Sequence, residues 1–242
     1  MTDRAGNTTN FAYDGASQRL TSITDANGNV AVTMTYDAEG RVETQKDARG
    51  LITGQATTLS YVMNPDDTQT TTVTYPTTSF EPTWNPLQID TYDVNGWVVE
   101  HVMKPTSNPA EGVVNQYTYD GNGFRDSVTD GRGNLWRFCY DVDFSGNPLG
   151  SRGNVTRRIT PPPTVGANPL VTLYQYDAKN NLVQVIPPKG VANDDAVDCF
   201  TDLTGVIDLT YATDLAYDAV TETFLESVTR QYTDPDLGPR RR

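Results

Sequence analysis

The sequence predicts an all-β chain, a repetitive ribbon of antiparallel β-hairpins in which one short unit recurs along its length. Three observations carry this reading. Asp-x-x-Gly occurs nine times, Tyr-Asp occurs seven times, and the segments between these corners alternate with a period of two. With 24 Asp and 19 Gly in 242 residues, chance placement gives about two Asp-x-x-Gly pairs and about one Tyr-Asp pair. The pattern therefore belongs to the architecture and not to the composition.

Taken in order, Asp3, Asp14, Asp25, Asp37 and Asp47 lie 11, 11, 12 and 10 residues apart, so a corner comes every ten to twelve residues. Asp3 with Gly6, Asp25 with Gly28, Asp37 with Gly40 and Asp47 with Gly50 fit a type I turn, in which Asp accepts from backbone N–H groups and Gly tolerates the exit geometry. Asp93 with Gly96, Asp120 with Gly123, Asp130 with Gly133, Asp143 with Gly146 and Asp202 with Gly205 repeat it. In TYDAEGRVETQKDARG, residues 35–50, the two pairs read as successive corners of one hairpin with RVETQK as the strand between them. Asp37 and Asp47 then stand at opposite ends of that strand, too far apart to share a reaction.

The intervening segments are rich in Thr, Val, Ile and Tyr, a strand composition. NVAVTMTY at 29–36 places Val30, Val32, Met34 and Tyr36 on one face, and WRFCY at 136–140 does the same with Trp136, Phe138 and Tyr140. Tyr117 with Tyr119 and Tyr174 with Tyr176 also share a face. The repeat tyrosines, each followed by Asp, are Tyr13, Tyr36, Tyr92, Tyr119, Tyr140, Tyr176 and Tyr217. No hairpin alone can bury its aromatic face, so stability must come from neighbours stacked edge to edge. Proline-rich stretches near 76–90, 104–112, 160–169 and 187–205 interrupt the rhythm and read as loops at hairpin ends, the last with room for a short helix around 194–200. Because the rhythm resumes after each, residues 1–242 are expected to form a single array, with a division at 160–169 as the alternative.

A net charge of −13 and a pI near 4.4 argue against nucleic-acid or anionic-membrane partners, and no stretch is apolar enough for membrane insertion. Aromatic residues at 10%, with 13 Tyr, argue for a folded chain despite only 36% hydrophobic residues. The start of the sequence lacks a signal-peptide layout. Cys139 and Cys199 resemble no metal or redox motif; they either pair with each other or remain free thiols. No cofactor is called for: there is no phosphate-binding Gly-rich loop, no Gly-x-Ser-x-Gly and no Cys-x-x-Cys. DGNGFRD at 120–126 opens like a calcium loop but lacks its terminal Glu, and NDDAVD at 193–198 gathers carboxylates; plain turns and a solvated acidic loop are the simpler readings. His101, the single histidine, falls at an ordinary strand position in WVVEHVMK, where a structural role is favoured over a catalytic one.

The copies YDAEGRV at 36–42, YDGNGFR at 119–125 and YDAKNNL at 176–182 resemble the YD repeats of the rearrangement-hotspot (Rhs) family. The resemblance touches most of the chain, most strongly at 3–51 and 113–147. It implies a segment of a spiralling β-shell, like those of bacterial polymorphic toxins, the C components of insecticidal toxin complexes and the animal teneurins. In the bacterial members the shell encloses a toxin. A closed shell takes many more repeats than this chain supplies, so the expected partners are the remainder of a larger Rhs-type polypeptide and its toxin cargo, in a secreted or cell-surface setting. RQYTDPDLG at 230–238 is distantly similar to the stretch that ends the bacterial Rhs core, but Gln231 and Thr233 depart from it, and the self-cleaving aspartates of the family match no residue here. The reading is a structural protein without catalysis of its own. The alternative is an adhesion or carbohydrate-binding module using Phe80, Trp84 and Trp97 to contact glycans.

Overall fold

The computed structural model describes residues 1–78, 82–108, 111–192, 198–220, 223 and 225–231. Phe80, most of the acidic stretch at 193–198, most of the expected helix at 194–200 and nearly all of 230–238 lie outside them. The chain is all-β, and it divides into two compact units, Met1–Asn115 and Gln116–Arg242.

In the first unit, β1 (Asn10–Tyr13), β2 (Leu20–Thr24), β3 (Val30–Tyr36), β4 (Val42–Asp47), β5 (Thr57–Met63), β6 (Gln69–Thr74), β7 (Leu87–Tyr92) and β8 (Val98–Lys104) lie side by side in chain order, each antiparallel to the one before. The strands form where β-branched and aromatic residues cluster, and they stop at the Asp corners, whose local hydrogen bonds compete with the ladder. The loop after β6 is closed by the Tyr75 N–H, which donates to the Pro86 carbonyl at 2.9 Å. Strand β7 therefore starts at Leu87, inside the stretch read as a loop to 90. The sheet side chains in this unit are mostly half-buried; Val102 and Asp90, each 8% exposed, are the deepest of the strand residues.

Two of the expected Asp-x-x-Gly corners are corrected: Asp202 and Gly205 do not form one, the Asp202 carboxylate instead accepting from the Thr204 N–H at 2.9 Å at the start of a 3₁₀ turn, and Asp47 opens a helix. Asp47 and Gly50 do not form a hairpin corner: Asp47 caps α1 (Ala48–Thr53), its carboxylate accepting from the Gly50 N–H at 2.6 Å. Gly54, in the left-handed conformation at φ +80°, ends the helix. RVETQK is thus a strand between a turn and a helix, and not between two turns.

The second unit holds β9 (Val113–Tyr119, begun in the last residues of the first), β10 (Arg125–Thr129), β11 (Leu135–Tyr140), β12 (Val155–Thr160), β13 (Leu170–Tyr176), β14 (Leu182–Ile186), β15 (Thr213–Tyr217) and β16 (Leu225–Arg230), again antiparallel in chain order. The proline-rich loop at 160–169 lies within this unit, because β12 and β13 pair from Arg157 opposite Leu173 to Thr160 opposite Leu170. Here there is a true core. Cys139, Ile159, Val171, Leu173 and Ile186 on the strands meet Val191, Leu203 and Ala212 from the segment between β14 and β15. That segment carries short 3₁₀ turns at Pro188–Gly190, Thr204–Val206 and Leu209–Tyr211, and Cys199 within it is disulfide-bonded to Cys139 with the Cα atoms 5.3 Å apart.

Candidate functional site

The corner is the repeating chemical unit. At Asp25–Asn29, the Asp25 N–H donates to the Asn29 carbonyl at 2.8 Å and the Gly28 N–H donates to the Asp25 carbonyl at 3.1 Å. The Asp25 carboxylate accepts from the N–H groups of Asn27 and Asn29 at 2.9 and 2.8 Å, and its second oxygen accepts from the Asn29 side chain at 3.2 Å. The glycine leaves the turn at positive φ, closing a type I turn onto a bulge. The same backbone pair of bonds forms at Asp3, Asp37, Asp93, Asp120, Asp130 and Asp143, with Gly6, Gly40, Gly96, Gly123, Gly133 and Gly146 as the fourth residue. It forms again at Asp177, where Asn180 at φ +68° stands in for Gly.

The Asp25 and Asp143 carboxylates are held below the ordinary range by what donates to them. For Asp25 and Asp143 the largest cause is the backbone N–H four residues on, from Asn29 and Asn147, followed by the same residues' side-chain amides. The calcium-like loop at 120–126 is built the same way, with Asp120 accepting from the N–H groups of Asn122 and Phe124 at 2.9 Å each. Among the described residues, no group of three or more His, Cys, Asp or Glu is placed to hold a metal ion.

The repeat tyrosines do something their sequence context does not announce. The Tyr36 hydroxyl donates to the Leu20 carbonyl at 2.6 Å, Tyr140 to Arg125 at 3.1 Å, Tyr176 to Val155 at 3.0 Å and Tyr217 to Leu182 at 3.1 Å. Each acceptor is the first residue of the preceding strand, and each stands opposite the previous repeat tyrosine, where the ladder register shifts at a bulge. The bulge turns that carbonyl out of the ladder, and the next tyrosine satisfies it. Tyr61, absent from the sequence-derived set because no Asp follows it, makes the same latch to Val42 at 2.8 Å. In three of these latches the residue just before the acceptor also covers the ring. Arg19 lies over Tyr36 with its guanidinium carbon 5.7 Å from the ring centre, Arg41 over Tyr61 at 4.3 Å, and Phe124 stacks on Tyr140 at 5.0 Å. Tyr13 is exposed at 57%, and Tyr92 and Tyr119 are half-buried at the ends of β7 and β9.

His101 is not an isolated strand residue. Its Nδ1 lies 2.5 Å from the Asp90 carboxylate, Gln88 donates to the other Asp90 oxygen at 2.6 Å, and Tyr75 donates to Gln88 at 3.0 Å. Asp90 and His101 face each other across the hairpin of β7 and β8. An oriented imidazole can serve as a base, but among the described residues no Ser or Thr hydroxyl bonds to it to complete a nucleophilic triad. Of the proposed glycan contacts, Trp84 and Trp97 are half-buried.

The second unit adds a buried arginine. Cys139, Arg157, Leu173 and Ile186 form a row across β11, β12, β13 and β14, exposed by 2%, 1%, 0% and 0%. Arg157 Nη1 donates to the carbonyls of Asp198 and Thr201 at 2.6 and 3.0 Å. The disulfide decides between the two alternatives left open for Cys139 and Cys199, while Arg157 had no readable sequence signal, since its partners lie 41 and 44 residues away.

Among known proteins, a family model described as RHS Repeat matches residues 1–30 and 16–52. No curated protein matches the chain. Solved structures that it is similar to include a crystal structure of TcdB2–TccC3, at 16% identity and a TM-score of 0.35, over 93% of this chain and 18% of that one. Another is the Photorhabdus luminescens Tc holotoxin pore with a TccC3 variant, at 15% identity and a TM-score of 0.35, over 77% of this chain and 12% of that one. The chain thus spans less than a fifth of the length of either. The RHS Repeat match covers residues 1–52, and the same tyrosine-latched corner recurs beyond it as far as Tyr217.

Proposed function

We propose that this chain is a structural wall segment of a larger Rhs-type assembly, and that the wall it helps build encloses or presents a toxin or effector chain. The observation that carries the proposal is where the reactive side chains are used. Corner carboxylates are occupied by their own backbone N–H groups, and tyrosine hydroxyls by carbonyls of the neighbouring strand. Such a surface is polar and already satisfied, so it offers a contained chain few strong sites and does not compete with that chain's own folding or release. The two units are read as consecutive stretches of one YD-repeat array, with the loops at 104–112 and 160–169 as insertions. An extracellular setting follows from the same reading, as does the remainder of the polypeptide as partner. Among the described residues, no helix is long and apolar enough to cross a membrane.

The test is reconstitution of the full polypeptide with its cargo, followed by limited proteolysis. Containment predicts that the cargo resists protease in the assembly and is cut when free. A cargo cut equally fast in both would sink the proposal.

A further inference from the structure

The segment between β14 and β15, described at 187–192 and 198–212, lies over one face of the second unit's sheet. It contributes Val191, Leu203 and Ala212 to the core, exposed by 4%, 2% and 1%. Two sets of polar contacts among the described residues tie it to the strands and corner beneath it. The Leu203 N–H donates to the Phe144 carbonyl at 2.8 Å, and the carbonyls of Asp198 and Thr201 accept from Arg157. The one covalent attachment is Cys139–Cys199.

Closing this cover has an opposing cost. Arg157 is 1% exposed, and among the described residues its Nε and Nη2 have no acceptor. Leaving guanidinium N–H groups unpaired in a buried site is unfavourable, and opening the cover would return them to water. The direction of the arginine's pKa agrees: burial pulls it down, against the opposite pull of the Asp198, Asp143 and Asp202 carboxylates. Apolar contact favours the closed state, the buried charge favours the open one, and the disulfide tips the balance by removing most of the open segment's freedom.

We propose that residues 198–212 form a redox-released cover: the Cys139–Cys199 disulfide holds them shut over Arg157, and a dithiol reductant frees them while the hairpins beneath stay paired. The chemistry balances. Cys199, half-buried, is the accessible sulfur, and Cys139, 2% exposed, is the leaving group. A reductant thiolate attacks Cys199 Sγ, the protein S–S bond breaks, and Cys139 leaves as a thiolate that takes a proton from solvent. The reductant's second thiol then resolves the mixed disulfide. The dithiol is oxidised to a disulfide by two electrons, and both cysteines become thiols. In an oxidising medium the face is covered. In a reducing compartment the row of Arg157, Leu173 and Ile186 is uncovered.

Hydrogen exchange read by mass spectrometry on the intact chain, with and without dithiothreitol, tests this directly. The expected result is faster exchange in 198–212, on the order of a hundredfold or more, with β11 to β13 little changed. In the reduced protein, Arg157→Met should slow that exchange again by about tenfold, because an apolar side chain of similar length removes the cost of closing. Two results would overturn the proposal. One is unchanged exchange after alkylation has shown both thiols to be free. The other is uniform loss of protection from β9 to β16, which would make the disulfide a staple of the whole unit. Reduced Arg157→Met that exchanges as fast as reduced wild type would remove the buried charge from the account and overturn the balance argued here.

Discussion

Gly28 and Gly146 occupy the same place in two corners, and the same substitution should cost very different amounts at each. Both have φ +84°, and both donate to the carbonyl of their corner aspartate at 3.1 Å. At Gly28 an added Cβ meets nothing within 4 Å, so Gly28→Ala carries only the left-handed backbone penalty, about 1–2 kcal/mol. At Gly146 the same Cβ would lie 2.3 Å from the carbonyl oxygen of Phe200 and 2.6 Å from its carbon. Those are main-chain atoms of the cover, which cannot rotate away as a side-chain tip would. Forcing them back adds an overpacking cost of about 1–3 kcal/mol, for a total of roughly 2–5 kcal/mol. The assay is urea unfolding of each variant with hydrogen exchange read separately for the two units. Gly28→Ala should lower protection around its own hairpin. Gly146→Ala should lower it more, and chiefly across 198–203. Equal losses at the two sites would refute the close approach of the cover to the corner, and a cost-free Gly28→Ala would refute the shared backbone geometry.

Three further outcomes follow from the site. Tyr140→Phe removes the hydroxyl that satisfies the Arg125 carbonyl but keeps the stack on Phe124, so denaturant unfolding should show a loss of about 1 kcal/mol, with Tyr140→Leu losing about 1 kcal/mol more. His101→Ala leaves the nearly buried Asp90 with Gln88 as its remaining side-chain partner, a loss of about 1–3 kcal/mol in the same assay; a stability unchanged within error would show the pair to be idle. Acid acts through the corners. The Asp25 and Asp143 carboxyls titrate lower in the folded chain than in the unfolded one, so their contribution is complete above the unfolded value near 3.9 and is lost as pH falls below about 4 through the depressed folded values. Denaturation midpoints should hold near neutrality and fall below pH 4; midpoints that rise between pH 4 and pH 3 would contradict this.

How much of this was legible depends on how local each interaction is. The corner is readable because every bond that makes it runs between residues no more than four apart, so Asp, Gly and Asn at fixed offsets are both the signal and the structure. Asp47 shows the limit of that rule. The same Asp-x-x-Gly string opens a helix, and the discriminating signs were Leu51 and Ile52 in place of turn residues, with Gly54 as a stop signal. The tyrosines were visible as a recurrence, but their acceptors are backbone carbonyls 15 to 35 residues away, which have no side-chain signature. Asp90 was hidden behind a hairpin. Once the corner at Asp93 fixes the register, its position opposite His101 follows.

The cover was hidden for a different reason. Prolines and acidic residues between 187 and 205 mark the absence of a strand, and from that the sequence suggests a solvated loop. Yet burial needs no periodicity where the chain is irregular: Val191 and Leu203 reach the core from the exit of one 3₁₀ turn and the entry of another, spaced by nothing that a strand or helix template detects. The two units therefore solve the same physical problem in different ways. In the first, a mostly half-buried sheet is held by corners and latches that repeat with the chain, so each hairpin depends on its neighbour and on little else. In the second, one face is closed by an insertion that the repeat does not encode, and a disulfide and a buried arginine set how firmly it is closed. Perturbations should separate along that line, with acid loosening corners in both units and a reductant loosening only the cover, because carboxylate turns recur in both units and the Cys139–Cys199 bond belongs to one.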